Sequence, residues 1–292
     1  MTFTFPQDAL FLIAGPCVLE SDDLNLRVGE HLARLAERVP GGIVYKASFD
    51  KANRSNAGAA RGPGLDEGLA ALDRVRRASG LPLLTDVHLP EQCRPAADVV
   101  DVLQIPAFLC RQTDLLVAAG ATGKPVNVKK GQWMHPEGMR GAVEKVRGAR
   151  PPGSGGPKTA DSGAASQSQS PVPSTRSAVA VTERGSFFGY GDLVVDMRGF
   201  ARMRAACNAP VIFDGTHSVQ RPGMGDGGAS GGAREHIAAL TRAAVAAGAD
   251  GLFLETHPDP DHAPSDGPNM LHLSSLDELI SRVVDLWHLC RR

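Results

Sequence analysis

The stretch GARPPGSGGPKTADSGAASQSQSPVPSTRS, residues 148–177, decides how many domains the chain contains. Of its 30 residues, 5 are Gly, 5 are Pro and 7 are Ser, and Val172 is its only aliphatic side chain larger than alanine. So little apolar surface does not offset the entropy of ordering a chain. The stretch is therefore expected to be disordered, either as a surface insertion or as a linker between two domains. Its flanks choose between these. Upstream lie five short aliphatic runs: Phe11–Ala14, Gly42–Ala47, Leu81–Val87, Val100–Ile105 and Pro125–Lys129. Downstream lie three more: Ala178–Glu183, Pro210–Asp214 and Gly251–Glu255. Runs of this length and composition are what strands buried on both faces require.

The intervals between the runs carry helical signals. Ser21 or Asp22 caps a stripe of Leu24, Val28, Leu32 and Leu35. Ala238–Ala247 is a strong helix former that ends near Gly248. Leu276, Leu279, Ile280, Val283, Val284, Trp287 and Cys290 follow the spacing of one helix face. Eight strands alternating with helices predict a (β/α)8 TIM barrel of the α/β class. Removing residues 148–177 leaves about 262 of 292 residues, close to the ~250 typical of that barrel. Neither flank closes a barrel alone. The stretch is thus an insertion between strands five and six of a single catalytic domain spanning 1–292. A doubly wound open sheet is the runner-up, weakened because no G-x-G-x-x-G follows the first strand.

Composition narrows the function. With 31 basic and 32 acidic residues, no electrostatic case arises for a nucleic-acid or anionic-membrane partner. The five cysteines, Cys17, Cys93, Cys110, Cys207 and Cys290, are widely spaced and form no C-x-x-C. They indicate neither a disulfide framework nor a zinc ribbon, and a reduced, cytoplasmic setting is expected. The N-terminus lacks the basic region of a signal peptide. No apolar run is long enough to span a membrane.

In a barrel, the C-terminal ends of the strands and the loops beyond them build the site. Those positions are strongly polar here. Lys46, Lys51, Arg54, Arg111, Lys129 and Arg184 form a cationic set. Converging cations call for an anionic ligand, and Arg grips phosphate or carboxylate in a bidentate fork. Cys17, His217, Glu255 and Asp266 form a second set, with donors suited to Mn, Fe, Co or Zn. Cys17 is also readable as a buried apolar side chain, or as a nucleophile with His88 or His217 as base. His217 alone is readable as a hydrogen-bonding residue. Ser48, Asn53, Ser55, Asp86, His88 and Gln104 complete the polar rim. The glycine-rich stretch 223–232 is either a lid over the site or a flexible turn.

Ten segments, in order, carry a resemblance. They are Gly15–Ser21, Lys46–Ser55, Arg61–Gly64, Thr85–His88, Gln104–Phe108, Asn127–Lys130, Thr182–Gly185, Phe188–Tyr190, Thr216–Gln220 and Glu255–Pro258. With them the chain resembles the 3-deoxy-D-manno-octulosonate 8-phosphate (KDO 8-phosphate) synthase family from about Phe11 to Pro268. The resemblance implies a transferase of lipopolysaccharide biosynthesis, assembled as a homotetramer. It condenses phosphoenolpyruvate with D-arabinose 5-phosphate and water, in an aldol-type reaction that releases phosphate. Lys46, Lys51, Lys129 and Arg184 are similar to the family's phosphoenolpyruvate cradle. Asn53, Arg54 and Ser55 are similar to its grip on the sugar phosphate, and Arg111 to a residue reaching the sugar of a neighbouring subunit. Cys17 implies the metal-dependent class, with His217, Glu255 and Asp266 as the other ligands of a divalent ion. Lys129 and His217 would stabilise developing charge, and Asp86, His88 or Asp266 would move protons. Two departures stand out: residues 148–177 are absent from the usual pattern, and the stretch 223–232 is slightly long. Two alternatives are a 3-deoxy-D-arabino-heptulosonate 7-phosphate synthase, which takes erythrose 4-phosphate, and a non-catalytic phosphosugar-binding barrel. The former's sugar loop resembles Lys-Pro-Arg-Thr, whereas Lys51-Ala52-Asn53-Arg54-Ser55 stands here.

Overall fold

The computed structural model describes residues 3–52, 58, 60–151, 176–189, 191–225 and 230–291. Its centre is eight parallel strands: β1 (Phe11–Gly15), β2 (Ile43–Lys46), β3 (Leu83–Asp86), β4 (Val102–Ile105), β5 (Val126–Lys129), β6 (Val179–Glu183), β7 (Val211–Asp214) and β8 (Gly251–His257). Each pairs with the next in chain order. β8 also pairs with β1 through Gly251↔Phe11 to Glu255↔Gly15, which closes the barrel. Eight helices follow the strands in turn: α1 (Asp22–Ala36), α2 (Leu65–Ser79), α3 (Pro90–Val99), α4 (Thr113–Ala121), α5 (Arg140–Ala149), α6 (Gly199–Cys207), α7 (Ile237–Ala246) and α8 (Leu273–Cys290). The predicted (β/α)8 barrel is the observed fold.

Local chemistry explains the elements. Ser21 caps α1 by accepting from the Leu24 N–H at 3.3 Å, and Asp22 and Asp23 in the first turn complement the helix dipole. Val28, Leu32 and Leu35 are buried on one face of α1, as Leu276, Leu279, Ile280 and Val283 are on α8. Alternate strand residues divide between two cores. Leu12, Tyr45, Leu83, Leu103, Val128, Val181, Phe213 and Leu254 pack outward on the helices. Phe11, Ile13, Val44, Leu84, Val102, Ala180, Ile212 and Phe253 fill the interior together with Phe5. The Phe5 ring lies 5.8 Å from that of Phe11, the first residue of β1, so it closes the N-terminal end of the barrel.

β5 and β6 are neighbours, paired from Val126↔Val179 to Lys129↔Thr182. The 148–177 stretch therefore interrupts the chain between adjacent strands without breaking the sheet. Its expected disorder falls on residues 152–175, which lie outside the described residues. Its expected borders need correction. Gly148 and Ala149 are the last residues of α5, whose Ala142, Val143 and Val146 are buried. Arg147 continues the fastening by donating to the carbonyls of Cys207 and Asn208. At the other border, Arg176–Ser177 pairs antiparallel with Phe5–Pro6. No helix among the described residues is long and apolar enough to cross a membrane.

Candidate active site at the barrel mouth

The polar side chains expected at strand ends do lie there. Lys46 ends β2, Asp86 ends β3, Lys129 ends β5, Glu183 ends β6 and Asp214 ends β7, while Glu255 lies late in β8. All are buried. Gly15 makes room at the end of β1. A Cβ there would sit 2.1 Å from the Lys46 carbonyl oxygen, so the backbones of β1 and β2 approach at a distance only glycine permits. The chain then turns through Pro16 and delivers Cys17 to the mouth.

The cations are not left to repel one another. Lys46 Nζ donates to Glu255 Oε1 at 2.6 Å and to the Cys17 carbonyl at 2.8 Å. Lys129 Nζ donates to Asp214 Oδ2 at 2.7 Å and lies 3.5 Å from the centre of the Phe253 ring. Burial drives the Lys129 pKa down, against the pull of Asp214. Burial acts the same way on Lys51, but the acidic groups around it, among them Glu255, Asp86 and Asp266, outweigh it and raise its pKa. Ser48 donates to Asp86, which also pairs with His88 Nε2 at 3.0 Å. Gln104 accepts from Asn127 at 3.0 Å. Within the predicted cationic set, Lys46 and Lys129 are thus paired with carboxylates of the protein itself, a pairing between distant strand ends that spacing does not show. Arg111 differs from the others: its side chain is exposed on the loop after β4. Asn53, Arg54 and Ser55 lie outside the described residues.

Arg184 keeps unused capacity. It is buried, its Nη2 donates to Gln220 Oε1 at 2.6 Å, and its Nη1 is buried with no hydrogen-bond partner among the described residues. Burial lowers its pKa despite nearby Asp214 and Asp266. A guanidinium with a free buried donor is suited to an anion's oxygens.

Three of the four predicted metal ligands are brought together, with His217 beside one of them. The ligand atoms of Cys17, Glu255 and Asp266 all lie within 4.8 Å of one another. His217 Nε2 is 3.8 Å from Glu255 Oε2. Asp214 Oδ2 engages His217 Nδ1 at 2.8 Å, which orients the ring with Nε2 toward Glu255. Burial would raise the Asp214 pKa, but the charges of His217 and Lys129 hold it far below the carboxylate range. Asp266 is likewise held low against burial, chiefly by His217 and Lys51. Burial, then the Glu255 charge, holds the Cys17 thiol well above its usual pKa, and Sγ donates to Asp266 Oδ2 at 3.0 Å. Glu255 Oε2 is buried with no hydrogen-bond partner among the described residues. One sulfur, one imidazole nitrogen, two carboxylates and an orphaned carboxylate oxygen fit a borderline divalent cation.

Sequence reading passed over several members of this network. Thr216 Oγ1 accepts from the Glu255 N–H at 2.7 Å, and Gln220 joins Arg184 to Asp266. Both belong to the Thr216–Gln220 segment, which carried the signal without showing these roles. Lys130 is wholly buried, 3.5 Å from Glu183, and bonded to the carbonyls of Met134 and Gly185. It anchors loops under the mouth.

Comparison with known proteins agrees with the geometry. Residues 6–290 match the model of the DAHP synthetase I family. A 2-dehydro-3-deoxyphosphooctonate aldolase from Rhodopseudomonas palustris (strain BisB5) is 52% identical, over 97% of this chain and 90% of that protein. Proteins of the same name from Nitrobacter winogradskyi and Bradyrhizobium sp. (strain BTAi1) are each 51% identical, covering 96% and 94% of this chain and 89% and 87% of their own lengths. The chain is a closed (β/α)8 barrel that belongs to the DAHP synthetase I family.

Proposed function

We propose that this protein is a KDO 8-phosphate synthase, condensing phosphoenolpyruvate with D-arabinose 5-phosphate and water. The observation that carries the reading is identity of about half over 97% of the chain to 2-dehydro-3-deoxyphosphooctonate aldolases. The mouth supports it with buried cations and a ligand set in place. The same relatives favour this reading over the erythrose 4-phosphate and non-catalytic alternatives.

In the reaction, the methylene carbon of phosphoenolpyruvate bonds to the sugar's aldehyde carbon. Water adds its oxygen at C2, and phosphate leaves. Phosphoenolpyruvate is a weak carbon nucleophile, so holding both substrates by their anionic groups supplies proximity. Lys46, Lys51, Lys129 and the free Nη1 of Arg184 cradle phosphoenolpyruvate. Asn53, Arg54 and Ser55 take the sugar phosphate, Ser48 and Gln104 line the sugar, and Arg111 serves the site of a neighbouring subunit in a homotetramer. Lys129 and His217 face the charge that develops on the aldehyde oxygen. Asp86 with His88, or Asp266, moves the protons. Cys17, His217, Glu255 and Asp266 would hold a divalent ion, Mn, Fe, Co or Zn, which supplies Lewis acidity at the mouth. The whole barrel acts as one catalytic domain in the cytoplasm, feeding lipopolysaccharide precursor synthesis.

The test measures phosphate released from phosphoenolpyruvate with arabinose 5-phosphate, with erythrose 4-phosphate and with no sugar, each with and without chelator. Release with arabinose 5-phosphate alone, abolished by exhaustive chelation and restored by divalent metal, is expected. Equal or faster release with erythrose 4-phosphate would overturn the assignment.

A further inference from the structure

Gln220 stands between the two halves of the proposed site. Its Oε1 accepts from Arg184 Nη2 at 2.6 Å, and its Nε2 donates to Asp266 Oδ1 at 2.8 Å. The orientation of the amide follows from its partners. A guanidinium only donates, so it faces Oε1, and an ionised carboxylate only accepts, so it faces Nε2. Each partner is thereby left with a second atom for other work. Arg184 keeps Nη1, buried and without a hydrogen-bond partner among the described residues. Asp266 keeps Oδ2, which faces Cys17 Sγ and Ser265 Oγ.

The backbone holds Gln220 in register for this. Gln220 pairs with Gly232, and Arg221 with Gly231. Gly232 sits against the loop just after Asp266, where a Cβ would approach Asn269 Oδ1 to 2.0 Å and the Pro268 carbonyl oxygen to 2.6 Å. Asp266 itself has a left-handed backbone, with φ of 54°. Aspartate is one of the few non-glycine residues that adopt this conformation readily, through hydrogen bonds of its short side chain. The Gln220 amide, the Cys17 thiol and the Ser265 hydroxyl hold its carboxylate.

We propose that Gln220 is a positioning residue that fixes the anion-binding arginine and the metal-binding aspartate with a single amide, so that losing it weakens both binding steps together. The inference rests on the reading above, that Arg184 holds phosphoenolpyruvate and Asp266 the metal. An amide is the side chain that does this. Methionine, close to it in shape, neither donates nor accepts usefully, and an ionised glutamate has no donor for Asp266.

The test is Gln220→Met in full-length protein. Co²⁺ affinity of the metal-free protein is read by competition with a chromogenic chelator, and phosphoenolpyruvate affinity of the metal-loaded protein by calorimetry. Partners that orient metal ligands typically change metal affinity by about 10–100-fold. Gln220→Met is expected to weaken Co²⁺ about tenfold and phosphoenolpyruvate by a similar factor in protein that remains folded. The near-ultraviolet sulfur-to-cobalt band of Cys17 is expected to shift as Asp266 loosens. Both affinities remaining within about twofold would overturn the proposal, as would a change in only one, which reduces Gln220 to a contact of a single partner. If Gln220→Met does not fold, Gln220→Ala is judged by the same two affinities. Wild-type protein that releases no phosphate with arabinose 5-phosphate would fail the functional reading, whereas the two titrations would still judge the bridge.

Discussion

Lys46→Met isolates what the mouth gains from its internal charge pairing. Lys46 and Glu255 are 2% and 0% exposed and 2.6 Å apart. Burial alone favours the neutral acid at Glu255, and Lys46 is the largest of the charges that hold it ionised. Removing one partner of a buried pair typically costs about 3–5 kcal/mol, because the other charge stays buried and uncompensated. His217 and Lys51 also act on Glu255 and offset part of the loss. The lower end of that range, about 3 kcal/mol, is therefore expected. For a chain of this size each kcal/mol moves the melting temperature by roughly 2–4 °C, so a fall of about 6–12 °C follows. The measurement is calorimetric melting of metal-free protein at fixed scan rate. Lys46→Met with Glu255→Gln is the control, since a neutral amide no longer needs a cation. That double variant is expected to regain at least about half of the lost stability. A single variant melting within about 2 °C of the parent, or a double variant showing the simple sum of both losses, would refute the reasoning.

Two further outcomes follow from the packing. Phe5 is fully buried against Phe11 at the barrel floor, so Phe5→Ala should destabilise by about 3–5 kcal/mol, read from the urea midpoint, while phosphate release per folded molecule stays unchanged. Burial pushes the Cys93 thiol up to about 12 and the Cys207 thiol up to about 11. Both stay neutral at pH 8.5, so iodoacetamide should label the exposed Cys290 first and reach these two only on unfolding. Because their folded values are raised, the stability they contribute is full below about pH 9 and is lost as the pH climbs through 11 to 12. A urea midpoint that holds steady across that window would count against it.

The fold was legible because a parallel barrel imposes a simple pattern. Each strand is buried on both faces, so β1 to β8 read as aliphatic runs, and the amphipathic stripes of α1 and α8 read between them. The borders of the 148–177 stretch were less legible. Composition alone groups Gly148 and Ala149 with the residues that follow, but the buried face of α5 and the anchoring of Arg147 extend the helix through them. At the site, residue types at strand ends were legible and their partners were not. Nothing in the spacing of Lys129 and Asp214, 85 residues apart, shows that they form an ion pair. Closure of the barrel creates that pair, and closure also places Thr216 against Glu255 and Gln220 between Arg184 and Asp266.

The bonds left unmade are as informative as those made. Buried polar groups are nearly always satisfied, so each exception calls for a reason. At the mouth, Lys46, Lys129, Asp86, Asp214 and Asp266 have found protein partners. Among the described residues, Glu255 Oε2 and Arg184 Nη1 have no hydrogen-bond partner, and they carry opposite charge. If either gap were a packing accident, the neighbouring network could close it: His217 Nε2 lies 3.8 Å from Glu255 Oε2, yet Asp214 holds the ring by its other nitrogen. Gln220 likewise satisfies one nitrogen of Arg184 and leaves the other free. The charge pairing therefore leaves, besides His88 Nδ1, a carboxylate oxygen beside Cys17 and a guanidinium nitrogen beside Gln220 unbonded among the described residues. A cation and an anion are the ligands that complete such a site, which is the pairing that a divalent metal and phosphoenolpyruvate provide.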